Sequence, residues 1–183
     1  MKGQLDKWEL KLYENMRSRP SKKEYYLEIA KQVSLRSPCL RRKYGAIVIK
    51  DDTILTTGYN GPVRKGINCF EVGCLKNKLN LPHGSAYEDC PAVHAEENAI
   101  INAARNGVSV LGGILYITGL DDQNNLIEAT PCDRCKRVII NAGIKKVIIR
   151  KSDGKTKDIE VSNWIKEDSQ KYLKKMKKSS IRR

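Results

Sequence analysis

Apolar residues recur at helical spacing in some parts of the chain and form short continuous runs in others. Ser21-Lys22-Lys23-Glu24 has the capping-box pattern, and the apolar residues that follow on one face predict a helix over about residues 21–35. The runs at 46–49 and 53–57 flank a turn at Asp51-Asp52 and predict a β-hairpin. Further helices are expected at 92–106 and 132–141, and further strands at 114–118 and 146–149.

This order of helices and strands predicts an α/β layer in which helices pack on a mixed sheet. A separate helix is expected at 4–16, and a last amphipathic helix uses Val161, Trp164, Ile165, Leu173 and Met176. We therefore expect a helical extension at 1–20, a central domain at 21–150, and a C-terminal helix with a basic tail at 151–183.

Charge is distributed unevenly along the 183 residues, whose net charge is +14. Residues 1–43 and 150–183 each carry a net +7, whereas residues 44–149 are neutral. The neutral middle indicates that the chemistry lies there. The basic ends are either solvated lysine-rich surfaces or contacts for polyanions, and both interpretations stay open. The length suits a single domain and excludes a fusion of two enzymes.

The chain has neither an apolar run close to the roughly 18 residues of a membrane span nor an apolar signal segment in Met1-Lys2-Gly3-Gln4-Leu5-Asp6. We therefore expect a cytoplasmic protein without membrane contact. Because the cytosol keeps thiols reduced, the six cysteines are interpreted as metal ligands or catalytic thiols rather than as disulfides.

Two short motifs, His94-Ala95-Glu96 and Pro131-Cys132-Asp133-Arg134-Cys135, suit a catalytic zinc site. An imidazole and two thiolates are borderline-soft ligands, and a site with three protein ligands keeps the fourth tetrahedral position open. Cys132 and Cys135 stand three residues apart at the start of a predicted helix, whose positive end favours thiolates. Glu96 is suited to be a general acid/base that takes a proton from water and delivers it to a substrate. A structural zinc is the alternative interpretation.

With these motifs the chain resembles the zinc-dependent cytidine and deoxycytidylate deaminase superfamily, whose signature is H-x-E…P-C-x-x-C. The stretch His94–Ile100 carries the first half of the likeness and Pro131–Cys135 the second. Ser37–Ala46 and Gly58-Tyr59-Asn60-Gly61 narrow it to the deoxycytidylate (dCMP) deaminase branch. The resemblance covers about residues 24–150 and implies a three-layer α/β/α fold, with a mixed five-stranded sheet and helices on both faces.

The resemblance implies hydrolytic deamination of a cytosine nucleotide, dCMP to dUMP and ammonia, by a homo-oligomer. His94, Cys132 and Cys135 would hold the catalytic zinc, Glu96 would carry the protons, and Asn60 and Ala95 would contact the substrate. By local chemistry alone, Asn60 suits a turn at the end of the hairpin equally well.

A phosphate on the substrate requires cationic or N–H partners. Arg41, Arg42, Lys43 and Lys65 flank the motifs expected near the pocket, and they are the candidate phosphate ligands. The alternative interpretation is that each is an ordinary solvated charge.

A second group of cysteines surrounds the long connection at 61–92, a length that rarely stays ordered without a cross-link or ligand. Cys39, Cys69, Cys74 and Cys90 would together provide four thiolates for a second, structural zinc, with His83 as an alternative ligand. The resemblance supports this expectation, since several dCMP deaminases carry a second zinc here. Buried free thiols or redox pairs are the alternative.

The chain departs from the family pattern at three places, namely Pro62–Gly66, an insertion at 119–125, and Arg150–Lys155 after the last strand. These departures weaken the assignment of the substrate. Two alternative functions therefore stay open. One is deamination of another nucleobase, or of cytosine or adenine in RNA or DNA held by the basic ends. The other is a zinc-stabilised binding protein without turnover.

Overall fold

A computed structural model describes residues 6–8 and 19–180, without the side chains of residues 179 and 180. The helix predicted at 4–16 lies outside the described residues, apart from residues 6–8. The helices are α1 (Lys22–Ser34), α2 (Cys69–Val72), α3 (Leu75–Lys78), α4 (Ala95–Arg105), α5 (Asp133–Asn141) and α6 (Val161–Ser180). The strands are β1 (Arg42–Lys50), β2 (Thr53–Tyr59), β3 (Gly61–Pro62), β4 (Ala92–Val93), β5 (Ile114–Asp121), β6 (Leu126–Ile127), β7 (Lys146–Arg150) and β8 (Thr156–Glu160).

One mixed sheet organises the fold, with strand order β2-β1-β5-β7-β8 and the short β6 paired with β5. The β5–β7 pair is parallel, whereas β1–β2, β1–β5 and β7–β8 are antiparallel. The connection between the two parallel strands contains α5, as a crossover requires. The prediction of a mixed sheet with helices is confirmed, and the short β6 is a sixth strand in addition to the five expected.

Helices cover both faces of this sheet, so the central strands are buried on both sides. In β1, Ile47 and Ile49 pack with Leu27 of α1 on one face. Ala46 and Val48, which point the other way, pack with α4, α5 and the start of α6. Strands buried on both sides appear in the sequence as continuous apolar runs, which is how β1 and β7 were predicted.

Helix α4 lies almost against the backbone of β2. Gly58 allows this approach, since a Cβ at that position would lie 2.2 Å from the Ala99 nitrogen. Asn98 Nδ2 donates to the Tyr59 carbonyl at 2.7 Å, and Asn102 Nδ2 donates to the Thr57 carbonyl at 2.8 Å. These contacts fix the position of α4, and with it the residues at its N-terminus.

Residues 119–125, expected as an insertion, form part of a hairpin. Strand β5 runs to Asp121, three residues beyond the predicted strand, and pairs there with Arg42 of β1. Asn124 turns the chain with a φ of 65°, and β6 then pairs back onto Gly119 and Leu120. The additional residues therefore lengthen the sheet beside the start of β1.

Strand β8 was not predicted from the sequence. It pairs antiparallel with β7 along its whole length, from Lys146 opposite Glu160 to Arg150 opposite Thr156. Val161 and Trp164, at the start of α6, are buried in the core cluster. The sheet and its core therefore continue past residue 150, where the sequence places the end of the central domain. Within the described residues, no helix combines the length and hydropathy that a membrane span requires.

Candidate metal centre and active site

The N-termini of α4 and α5 bring together the three predicted zinc ligands. His94 immediately precedes α4, Cys132 immediately precedes α5, and Cys135 lies in the first turn of α5. Their ligand atoms all lie within 4.8 Å of one another. Because both helices begin here, unpaired backbone N–H groups and helix dipoles favour negative charge on the sulfurs.

The spacing of these atoms fits zinc. His94 Nδ1 is 3.2 Å from Cys135 Sγ and 3.6 Å from Cys132 Sγ. Zinc–nitrogen and zinc–sulfur bonds at tetrahedral angles separate such atoms by about 3.6 Å. The residues therefore suit a zinc ion with three protein ligands and one open position.

A hydrogen bond links the side chains of Cys132 and Cys135. A hydrogen bond from Cys135 lowers the pKa of Cys132 to about 3, against the effect of burial. The same hydrogen bond, together with burial, raises the pKa of Cys135. The hydrogen bond to Cys132 raises the pKa of His94 as well. The cluster thus holds a thiolate at neutral pH, which is the form that binds a metal.

Glu96 lies in the first turn of α4 and is only 7% exposed. It lines the same cavity as His94 and Cys132. Burial in this position raises the pKa of Glu96. A carboxyl group beside a metal site is suited to take up a proton and release it again.

The cavity in front of the metal ligands is lined by residues from β1 and the segment before it, Asn60 after β2, the 61–92 connection and the two helix N-termini. Of the predicted substrate contacts, four lie in its wall, namely Asn60, Ala95, Arg41 and Arg42. Lys43 and Lys65 do not line it. Lys43 donates instead to Asn124 Oδ1 at 2.8 Å, and Lys65 is exposed. A substrate role for these two lysines stays a prediction that the geometry does not support.

Asn60 is buried, and both ends of its amide bond to the backbone of β1. Its Oδ1 accepts from the Tyr44 nitrogen at 2.6 Å, and its Nδ2 donates to the Arg42 carbonyl at 3.0 Å. The side chain therefore anchors the end of the hairpin at the cavity wall. One Nδ2 hydrogen is left for a ligand, so its contact with substrate stays a prediction.

The sequence profile described as "Cytidine and deoxycytidylate deaminase zinc-binding region" matches residues 20–151, most of the chain. The chain belongs to this family. The resemblance drawn from the motifs is thereby confirmed, and the zinc-binding region of the family includes His94, Cys132 and Cys135.

Curated relatives of this deaminase-family chain include several deoxycytidylate deaminases. The protein of Schizosaccharomyces pombe is 34% identical over 136 residues, which cover 74% of this chain and 39% of the relative. The protein of Enterobacteria phage T4 is 34% identical over 161 residues, which cover 72% of this chain and 78% of the relative. The chain thus spans about two fifths of the length of the yeast relative.

Solved structures support the same fold. One is a dCMP deaminase from cyanophage S-TIM5 in complex with dCMP and dUMP, with a TM-score of 0.56 and 33% sequence identity. The match covers 75% of this chain and 90% of the deaminase chain. Another is a cytidine deaminase from Burkholderia pseudomallei, with a TM-score of 0.52 and 16% sequence identity. The match covers 76% of this chain and 93% of the cytidine deaminase chain. The second likeness supports the fold alone.

The second cysteine group of this family member lies on one wall of the same cavity. Cys39, Cys69, Cys74 and Cys90 all line it, as does His83. Burial and the neighbouring thiols raise the pKa of Cys69. Among the described residues, only His94, Cys132 and Cys135 bring three ligand atoms within 4.8 Å of one another. The four thiols are therefore neighbours, and they do not stand at the spacing of a closed metal site.

Two residues of the cavity were not identified from the sequence. The Tyr87 ring lies 5.4 Å from the His94 ring, centroid to centroid, and Lys76 Nζ lies 5.2 Å from the Tyr87 centroid. Burial, followed by the nearby thiols of Cys132 and Cys135, raises the pKa of Tyr87. Both new residues belong to the 61–92 connection, where no spacing rule marks them.

Proposed function

We propose that the chain catalyses the hydrolytic deamination of dCMP to dUMP and ammonia. In this reaction water adds oxygen to C4 of cytosine, the C4–N bond breaks, and the amino group leaves as ammonia. The observation that carries the proposal is the location of Glu96 in the same cavity as the zinc ligands His94 and Cys132. The dCMP deaminases among the relatives support this substrate.

The residues divide the chemistry between them. Zinc supplies Lewis-acid activation of water at such a site. The Glu96 carboxylate accepts a proton from the attacking water, passes it to N3 of the base, and then assists protonation of the departing amine. Glu96 lies in the first turn of α4, so the helix backbone holds it close to His94, the residue that precedes the helix.

The charge of the cavity wall favours a nucleotide over a nucleoside. Arg41, Arg42 and Lys76 line the cavity together with His83. Glu96 is the one acidic residue among the described residues of the lining. An excess of cations close to the reacting centre suits a substrate that carries a phosphate.

Ammonia release tests the proposal. The substrates are dCMP, CMP, deoxycytidine, dAMP and a single-stranded oligodeoxynucleotide that contains cytosine, each with the zinc-loaded full chain. We expect the highest kcat/KM with dCMP. Release of ammonia only from the oligonucleotide would replace this proposal by a nucleic-acid deaminase, and release from none of them would refute it.

We further propose a second zinc held by Cys39, Cys69, Cys74 and Cys90, with His83 as the alternative fourth ligand. Their common position on one cavity wall supports this proposal, and binding would require the thiols to move closer together. We expect two zinc ions per chain, and one ion in a Cys39→Ser/Cys90→Ser variant. A single zinc in the unmodified chain would refute the second site.

All six cysteines are free thiols in the structure. Free thiols persist in a reducing compartment. We therefore keep the cytoplasm as the proposed location, to be tested by fractionation.

We propose that the chain forms a homo-oligomer. Six large apolar side chains within residues 63–79 are each about half exposed or more, namely Val63, Ile67, Phe70, Val72, Leu75 and Leu79. Apolar surface concentrated in this way usually lies at an interface. We expect light scattering to give a multiple of 20.7 kDa, and Phe70→Glu to reduce it. A monomeric unmodified chain would refute the proposal.

A further inference from the structure

Lys76 is a buried cation without an acidic partner. It belongs to the short helix α3 and is only 8% exposed. Among the described residues, no carboxylate lies within ion-pair distance of its ammonium group. Removing a charge from water is costly unless an opposite charge compensates for it. A lysine in this setting indicates a missing anion.

The position of Lys76 relates it to the reacting centre. Its Nζ lies over the Tyr87 ring, 5.2 Å from the centroid, and the Tyr87 ring in turn lies 5.4 Å from that of His94. The Lys76 ammonium group and the zinc ligand His94 are thus both neighbours of the Tyr87 ring. In a nucleoside monophosphate the sugar lies between the base, which carries the reacting carbon, and the phosphate.

The aromatic contact also holds the ammonium in place. A cation over the face of a tyrosine is attracted to the ring, and the attraction is stronger when water is excluded. Lys78, on the same helix, is exposed. The two lysines of α3 thus differ in burial, and only Lys76 lines the cavity.

Arg41 and Arg42 line the cavity as well, and both are less buried than Lys76. Arg41 donates from Nη2 to the Leu81 carbonyl at 3.0 Å, so part of its guanidinium is engaged. His83 also lines the cavity, but it is exposed, whereas Lys76 is buried. Lys76 remains a compact, buried point charge of the kind that binds phosphate.

We propose that Lys76 binds the 5′-phosphate and determines the specificity for nucleoside monophosphates over nucleosides, with Tyr87 positioning its ammonium group. The inference rests on the proposed function and names the residue that selects its substrate class. It places the selectivity in the cysteine-rich connection at 61–92 rather than in the basic ends of the chain.

Steady-state kinetics of Lys76→Met and Lys78→Met on dCMP and deoxycytidine test this role. For Lys76→Met we expect kcat/KM for dCMP, relative to deoxycytidine, to fall roughly tenfold to a hundredfold, the effect of a lost hydrogen bond between charged groups. The change should appear mainly in KM, as lost binding energy does. Lys76→Arg should restore part of the selectivity, and Lys78→Met should match the unmodified chain.

A binding measurement separates this proposal from the proposed reaction. Inorganic phosphate is titrated into the zinc-loaded chain and into both methionine variants by calorimetry. We expect weaker binding to Lys76→Met alone. Equal phosphate binding by all three proteins, or an equal loss of activity on dCMP and deoxycytidine, would overturn the role of Lys76. Phosphate binding that depends on Lys76, without ammonia release from any substrate, would refute the reaction and retain the phosphate site.

Discussion

Arg134 donates from Nη2 to Glu97 Oε2 at 2.7 Å, and this ion pair joins the two helices that carry the zinc ligands. The same Glu97 oxygen accepts a hydrogen bond from the His94 nitrogen at 3.2 Å. Arg134 itself lies between Cys132 and Cys135 in the sequence. One carboxylate therefore connects the histidine to the cysteine pair without binding the metal itself.

Loss of this ion pair should weaken zinc binding. For Arg134→Gln and for Glu97→Gln we expect zinc affinity to fall by about tenfold, since partners that orient metal ligands contribute about tenfold to a hundredfold. Competition with a chromophoric chelator measures the affinity. The matched control is Arg137→Gln, because Arg137 lies on the same helix and pairs with Asp168, away from the ligands. Equal affinities in all these proteins would contradict the prediction.

The catalytic centre could be predicted from the sequence because its geometry is local. Cys132 and Cys135 are separated by one helical turn, and His94 and Glu96 lie at the start of another helix. Each half of the site follows from spacing on its own helix. What spacing does not provide is the packing of α4 on β2, which Gly58 allows, and the link between the two helices, which the Glu97–Arg134 ion pair provides.

Other parts of the molecule lack a local signal. Strand β8 is a sheet edge with charged Lys157, Asp158 and Glu160 and only Ile159 as a large apolar residue, so its pattern does not differ from that of a polar loop. Lys76 resembles every other surface lysine in the sequence, and only the tertiary fold buries it. Lys43 and Lys65 are near the motifs in the sequence, but nearness in sequence does not determine the direction of a side chain.

Glu96→Gln tests the proton carrier. An amide of the same shape cannot accept and release a proton, so we expect kcat on dCMP to fall by about 10²–10⁴-fold. Zinc content, measured by atomic emission, should stay unchanged because Glu96 is not among the three ligands. Glu88→Gln is the matched control, since Glu88 is exposed and does not line the cavity. Full activity of Glu96→Gln would exclude the proposed role.

The contact between Tyr26 and Asp52 should make stability depend on pH. Tyr26 Oη donates to Asp52 Oδ1 at 2.6 Å, and Lys22 forms an ion pair with the same carboxylate. Lys22, followed by Tyr26, lowers the pKa of Asp52. A carboxyl group whose pKa is lower in the folded state stabilises the fold at pH values above its unfolded pKa. This stabilisation disappears as the pH falls through the folded pKa.

Tyr26→Phe should therefore lower the free energy of unfolding at pH 7. The difference from the unmodified chain should shrink as pH falls below about 4, the ordinary range of aspartate. Urea unfolding between pH 3 and pH 7 measures the difference. Tyr25→Phe is the matched control, because Tyr25 is 51% exposed. A difference for Tyr26→Phe that does not change with pH would show that the carboxylate has no part in it.

The packing of α4 on β2 predicts that Gly58→Ala impairs the site. The new Cβ would lie 2.2 Å from the Ala99 nitrogen and 2.4 Å from the Ala95 carbonyl oxygen. Overpacking costs about 1–3 kcal/mol, and a shift of roughly 1 Å in α4 should reduce kcat by about a hundredfold. Gly107→Ala, at the other end of α4, is the control. The φ of 66° at Gly107 strains an alanine, but no atom lies within 4 Å of the position that its Cβ would take. We expect Gly107→Ala to lower Tm and preserve kcat. If both variants lose stability and keep kcat, the close approach at Gly58 does not position the site.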